Sequence, residues 1–165
     1  GIPYIIFRPS LIIGRGDGFT ENLLELINHF PVVPVPGRGE ARLQPLSVDD
    51  WVSCFLRAME DENFVGKTIE FGGPEHLTYN EILRTVMRLL GVKKPIIHMP
   101  KAIVKAGLPI GRLASFIGIK TPPVTAEQIE LLQVDNITDR DSIRKQFGFE
   151  PEGYEEALRK ALGGV

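Results

Sequence analysis

The chain has 165 residues, 43% of them hydrophobic and 24% charged, a balance that suits one globular domain with a buried core and excludes disordered and collagen-like classes. Nineteen basic and 21 acidic residues are spread along its length for a net charge of -2, which leaves no electrostatic footprint for nucleic acid or an anionic membrane. A single cysteine, Cys54, rules out an internal disulfide, and with no secretory signal pattern the expected setting is a reducing cytoplasm.

The chain opens on Gly1 and enters a strand-like run almost at once, so it reads as a piece of a longer polypeptide. The run Tyr4 to Ile13 is rich in β-branched and aromatic residues, which suits a parallel strand buried on both faces; Arg8, Pro9 and Ser10 interrupt it, and it is too short to span a bilayer. Gly14 to Gly18 should turn. Thr20 can then N-cap a helix carrying Leu23, Leu26, Ile27 and Phe30 at helical spacing, ended by Pro31. Val32 to Gly39 reads as a loop with at most a short edge strand. Ser47 and Asp50 suggest a capping box for a helix whose Val48, Trp51, Val52, Phe55, Leu56 and Met59 lie on one stripe.

Lys67 to Gly72 reads as a second strand. Thr78 and Glu81 form another capping box, before a helix with Ile82, Val86, Leu89 and Leu90 that Gly91 can end. Pro95 to Met99 suggests a short strand, Lys101 to Ile117 a helical region kinked or split at Gly107 and Pro109, and Thr125 with Gln128 a further cap. Tyr154, Ala157, Leu158, Ala161 and Leu162 mark the last helix. The expected fold is α/β: residues 1–75 a closing βαβ portion of a parallel sheet, and residues 76–165 a small, mostly helical lobe.

Little in this pattern carries chemistry. Gly14-x-Gly16-x-Gly18 sits between a strand and a helix, but a dinucleotide fingerprint needs a third glycine where Phe19 stands, so a plain turn is the better reading. A tyrosine acting as proton donor in hydride transfer needs a lysine four residues on; Tyr4, Tyr79 and Tyr154 are followed there by Arg8, Leu83 and Leu158. His29, His76 and His98 lack zinc-site spacing and read as helix-end, turn or strand residues. Asp49 and Asp50 suit the first turn of a helix, and Cys54 suits a core position. No catalytic residue and no metal ligand is predicted.

Four segments, in order, resemble the extended and atypical short-chain dehydrogenase/reductases, the group that includes sugar-nucleotide epimerases and dehydratases. Phe7-Arg-Pro-Ser-Leu-Ile-Ile-Gly14 is similar to their late sheet strand, Pro45-Leu-Ser-Val-Asp-Asp50 to their V-x-D segment, Gly72-Gly-Pro-Glu-His-Leu-Thr-Tyr-Asn-Glu81 to their G-G-P strand-turn-helix, and Phe147-Gly-Phe-Glu-Pro151 to their late motif. The resemblance implies the C-terminal part of a Rossmann-type parallel sheet with a helical substrate-binding lobe, cut from an NAD(P)-dependent oxidoreductase or epimerase. Pro9, Ser10 and Leu11 would face the nicotinamide end of the cofactor. Gly14, Gly16 and Phe19 would border the substrate, with Arg42 nearby. NAD or NADP would serve the complete protein, and this chain alone would hold neither.

The nucleotide-sugar enzymes carry a phosphate-holding arginine where Leu43 stands here; Arg42 is only adjacent and would point to the other face of a strand. Gln44-Pro45 instead resembles the atypical branch that includes the dehydrogenase-like accessory subunit of respiratory complex I. Two readings follow: an oxidoreductase or isomerase, inactive as this piece alone, or a non-catalytic nucleotide-binding scaffold. The implied ligand is a small molecule other than a nucleotide sugar, beneath an apolar lid over Ala102 to Ile119. An exposed first strand should also promote self-association.

Overall fold

A computed structural model describes residues 2–100, 130 and 132–163. In chain order the elements are β1 (Ile6–Pro9), β2 (Ile12–Ile13), α1 (Gly18–His29), β3 (Val33–Pro36), β4 (Arg42–Leu43), β5 (Leu46–Ser47), α2 (Val48–Glu60), β6 (Thr68–Phe71), β7 (Leu77–Thr78), α3 (Tyr79–Leu89), β8 (Ile96–Met99), α4 (Ser142–Phe147) and α5 (Tyr154–Ala161). The pairs β1–β6, β2–β5 and β3–β8 are all parallel, as the α/β reading requires. The proposed kinked helix at Lys101 to Ile117, the cap at Thr125 and Gln128, and the lid over Ala102 to Ile119 lie outside the described residues.

The chain forms two compact units that interleave in sequence, residues 1–17, 42–77 and 136–165 in one and 18–41 and 78–135 in the other. The chain passes between the units after residues 17, 41, 77 and 135. Within the second unit, helix α1, with Leu23 and Ile27 buried, packs with α3.

In the first unit, Ile6 lies opposite Thr68 and Pro9 opposite Phe71. The run Tyr4 to Ile13 is not one strand covered on both faces but two short ones, and alternate β1 side chains are exposed. The chain changes partner between Ser10 and Leu11: Ser10 N–H donates to the Phe71 carbonyl of β6 at 2.9 Å, while the Leu11 carbonyl accepts from Leu46 N–H at 2.8 Å, leading into the β2–β5 pair. The core gathers Leu46, Cys54, Ala58, Ile69, Phe71, Ile143 and Phe147, bordered by Phe7, Trp51 and Phe149.

Two details of α2 differ from expectation. Ser47 caps it by accepting from Asp49 N–H at 3.2 Å, but Asp50 does not close a capping box; its carboxylate accepts from Glu152 N–H at 2.9 Å and so fastens α2 to the segment before α5. Arg57 reinforces that join, donating to the Phe147 carbonyl at 2.8 Å with its guanidinium 4.8 Å from the Phe149 ring centre. The face α2 buries is that of Cys54 and Ala58, whereas Val52, Leu56 and Met59 on the apolar stripe are 43%, 55% and 63% exposed.

In the second unit, α1 begins at Gly18, so Thr20 is a buried first-turn residue and not the cap. Val33 to Pro36 is a true strand despite its prolines. Val33 N–H donates to Pro95 and Gly37 N–H to Met99, which puts Pro34 and Pro36 at the alternate positions whose missing N–H points away from β8. The Thr78–Glu81 capping box on α3 forms as expected: Glu81 N–H donates to the Thr78 hydroxyl at 3.2 Å, and Thr78 N–H to the Glu81 carboxylate at 2.7 Å. Gly91, at φ +67°, follows the end of α3. Lys94 donates to the carbonyls of Ile27 and Phe30, satisfying the carboxyl end of α1.

Candidate functional site

Parallel α/β sheets offer ligands a crevice at the carboxyl ends of their strands. In the first unit both β1 and β6 end at one such place. Pro9, Ser10 and Phe71 line a cavity of about 240 Å³ there, together with Arg8, Glu70 and the stretch Asn136 to Thr138. The Ser10 hydroxyl donates to the Asn136 carbonyl at 3.0 Å, and Asn136 N–H donates to the Arg42 carbonyl at 2.8 Å, so the far wall is hung on β4.

That wall is held by buried Gln44. Its side-chain amide donates to the Gly73 carbonyl at 2.7 Å and the Asp139 carbonyl at 3.3 Å, while its amide oxygen accepts from Thr138 N–H at 2.6 Å. His76 adds a 2.8 Å hydrogen bond to the Thr138 carbonyl. Close approach of the backbones requires glycine: a Cβ on Gly73 would sit 1.8 Å from the Pro45 carbonyl oxygen, and one on Gly72 2.6 Å from the Gln44 side chain. The G-G-P segment and the Gln44-Pro45 pair are two sides of one junction.

Arg8 and Glu70 pair across β1 and β6 at 3.1 Å, both largely exposed, an arrangement worth about 0–1 kcal/mol. Burial pushes the phenols of Tyr79 and Tyr154 well above the ordinary range. The Cys54 thiol is pushed up to about 12, by burial first and then by the Asp50 carboxylate, and is a core group rather than a nucleophile. His29 pairs with the Glu25 carbonyl and His98 with the Asn80 side chain, both structural arrangements. Among the described residues no cluster of three His, Cys, Asp or Glu side chains could hold a metal.

Of the residues read from sequence, Pro9 and Ser10 come together in the cavity, whereas Leu11 is tied through its carbonyl to Leu46. Gly14 and Gly16 belong to a turn closed by Asp17, whose N–H donates to the Gly14 carbonyl at 3.1 Å and whose carboxylate accepts from Gly14 N–H at 3.0 Å. Phe19 lies in the second unit, edge-on to Tyr79 with ring centres 6.3 Å apart. Arg42 is exposed on β4 and Leu43 buried, the alternation expected of a strand. Asn136, Ile137 and Thr138 had no local signal; only the parallel bridge from Leu43 to Asn136 brings them to the site.

No protein-family model matches the chain. It is 26% identical over 84% of its length to the mitochondrial NADH dehydrogenase [ubiquinone] 1 alpha subcomplex subunit 9 of Arabidopsis thaliana, and 30% identical over 50% of its length to the Dictyostelium discoideum protein of the same name. It spans 34% and 23% of those two proteins. UDP-glucose 4-epimerase of Thermotoga maritima, solved with UDP-glucose, aligns at TM-score 0.67 and 19% identity over 99% of this chain and 46% of its own. The fold is that of the NAD-dependent epimerases and dehydratases. dTDP-glucose 4,6-dehydratase of Bacillus anthracis, solved with NAD, aligns at TM-score 0.62 and 17% identity over 96% of this chain and 43% of its own. The family resemblance read from four short motifs thus extends over nearly the whole chain.

One expectation is overturned. Both relatives are mitochondrial, and the cytoplasmic setting does not stand against them. A lone cysteine separates reducing from oxidising compartments, not one reducing compartment from another. Among the described residues no helix is long and apolar enough to cross a membrane.

Proposed function

We propose that this chain is the ligand-side part of a nucleotide-binding scaffold subunit in a respiratory assembly, and that its site binds without turning over. The observation that carries the reading is the Leu43–Gln44 pair. Where nucleotide-sugar enzymes of the resembling family hold a phosphate with arginine, this chain has a leucine 5% exposed, followed by a glutamine whose amide is used up on backbone groups. The relatives, NADH dehydrogenase [ubiquinone] 1 alpha subcomplex subunits by name, point the same way.

The residues present fit one end of NAD or NADP. A cavity of about 240 Å³ is smaller than the roughly 300 Å³ at which whole-ligand pockets begin, so Pro9 and Ser10 could face the nicotinamide end but not enclose a dinucleotide. A bound cofactor would supply hydride chemistry; this chain's contribution would be to orient the ring through the strand ends. The 165-residue chain alone should therefore hold NAD(P) weakly, and with the edge of β1 uncovered it should self-associate. Its ligand in the complete protein is a small molecule other than a nucleotide sugar.

The second reading, an oxidoreductase or epimerase inactive as this piece alone, rests on the likeness in fold to the epimerase and the dehydratase. Fluorescence titration of the 165-residue chain and the complete gene product with NADH and NADPH, beside calorimetry with UDP-glucose, separates the two. The scaffold reading expects cofactor binding by the complete product alone, no turnover, and no UDP-glucose heat. Saturable UDP-glucose binding lost on Arg42→Ala, or cofactor-dependent turnover, favours the enzyme.

A further inference from the structure

We infer that a cavity at the carboxyl end of α3, in the second unit, is a site for a phosphate ester with an apolar body. It shares no residue with the crevice described above, and the inference does not depend on what that crevice binds. Its volume of about 530 Å³ falls inside the range of roughly 300–1,000 Å³ typical of small-molecule sites. Four cationic side chains, Arg84, Arg88, Lys93 and Lys94, line it; Met87 and Pro95 supply apolar surface, and no carboxylate is part of the lining.

The sequence places these charges together. From Ile82 to Ala126 there is no Asp or Glu, in a chain whose acidic residues outnumber its basic ones by 21 to 19. The even balance of the whole chain hides this one stretch. Arg84 and Arg88 are exposed on α3 four residues apart, a spacing at which like charges oppose each other. Gly91, at φ +67°, then turns the chain at the end of the helix, and Lys93 follows two residues later, also exposed.

Helix capping does not account for the cluster. Cations gather at helix carboxyl ends to satisfy the last carbonyls and a dipole worth about half a unit charge. Here the backbone already serves those carbonyls: Leu90 N–H donates to Val86 at 3.0 Å, Val92 N–H to Met87 at 2.9 Å and Gly91 N–H to Arg88 at 3.2 Å. Lys94 is turned to the carbonyls at the end of α1. Ion pairing does not account for the cluster either. Several exposed cations have carboxylate partners, as in Arg8–Glu70, Lys145–Asp139 and Arg159–Glu155. Among the described residues Lys93 has no carboxylate within ion-pair distance, and the carboxylate that attracts Arg84, Glu81, is hydrogen-bonded to Thr78. A phosphate monoester, with a charge of about -1.5 to -2 at neutral pH, matches this excess better than a single carboxylate. The Arg84 fork can give two parallel hydrogen bonds to its oxygens, Lys93 adds a point charge, and the carbon body rests on Met87 and Pro95.

The test is calorimetric titration of the complete gene product with dihexanoyl phosphatidic acid, a soluble phosphate monoester, kept below its micelle threshold. Saturable binding is expected, weakened at least about tenfold in the double variant Arg84→Gln/Lys93→Gln and less in the charge-conserving Arg84→Lys/Lys93→Arg. Both positions are exposed, so the fold is retained, which thermal melts check. Dihexanoyl phosphatidylcholine, with the same body and no net charge, should give no binding heat. Co-sedimentation with vesicles of equimolar phosphatidylcholine and phosphatidic acid identifies the source: sedimentation that the double variant loses points to a membrane headgroup, and any other result beside an intact titration points to a free ester. Absence of saturable binding, equal binding of the two soluble lipids, or binding unchanged in the double variant overturns the inference. Tetraglutamate binding as tightly as the phosphatidic acid also overturns it, by making an acidic protein segment the occupant.

Discussion

Gln44 allows the sharpest test of the junction behind the site. Replacing it with leucine keeps an apolar shape of similar size but removes the partner of Thr138 N–H, bonded at 2.6 Å, and of the Gly73 carbonyl, bonded at 2.7 Å. Each buried group left without a partner costs about 1–3 kcal/mol. The longer 3.3 Å bond to Asp139 adds less, and burying the leucine returns about 1 kcal/mol. The expected loss is about 2–4 kcal/mol. Gln44→Glu sharpens the argument, because it keeps the shape and the acceptor to Thr138 but turns an oxygen toward two carbonyls. The new carboxyl is tolerated there only when protonated, so its folded pKa must lie above the unfolded value of about 4.3. A folded acid that holds its proton more tightly than the unfolded one loses stability as pH rises. The deficit of Gln44→Glu should be smallest below about pH 4 and grow toward neutrality. Urea unfolding followed through Trp51, the single tryptophan and part of the same unit, reads both variants. A midpoint for Gln44→Glu that tracks the parent across this pH range would refute the geometry assigned to Gln44.

The other predictions concern single positions. Gly73→Ala should abolish folding of the first unit or cost more than about 3 kcal/mol, because the new Cβ meets the Pro45 carbonyl; Gly18→Ala, with open space around it, should be neutral or mildly stabilising, and thermal melts distinguish the two. Thr78→Ala should cost about 1 kcal/mol by loss of the α3 cap. Glu81 is held below its usual range by Thr78 N–H first and the Thr78 hydroxyl second, so its contribution is present above about pH 4.3 and fades as pH falls through the lower folded value; Glu81→Gln should flatten that part of the stability curve. Tyr154→Phe should be neutral or stabilising by up to about 1 kcal/mol, since among the described residues the buried hydroxyl has no hydrogen-bond partner, and a clear loss in the same melts would reveal one.

Local pattern found what local forces decide. The Thr78–Glu81 box, the helix behind it and the strand at Lys67 to Gly72 are written within a few residues of each other, and the structure has each of them. The alternating prolines of β3 left room for the short edge strand that forms, because proline argues against a strand only where its N–H would face the partner. The stripe on α2 marked the helix correctly, but periodicity announces an apolar face and not what covers it, and Cys54 with Ala58 buries the other side. Asp50 has the spacing of a capping residue, yet it is spent on Glu152, 102 residues away. The cavity wall at Asn136 to Thr138 had no signal to read, since its place depends on one bridge to Leu43 and on Gln44.

The same features explain why a site of this kind is built almost wholly from backbone. The change of ladder partner at Ser10 and Leu11 parts β1 from β2 and opens the crevice at the carboxyl end of β1, beside the end of β6. Keeping it open requires a wall that does not collapse into it. Gly72 and Gly73 let Gln44 and Pro45 come close enough for that wall to be tied by hydrogen bonds from both sides of one amide. A crevice whose edges are carbonyls, a serine hydroxyl already donating to Asn136, and a solvent-exposed ion pair can orient a polar ring but offers it no buried acid or base. Proton transfer at this site would need a group from outside the described residues.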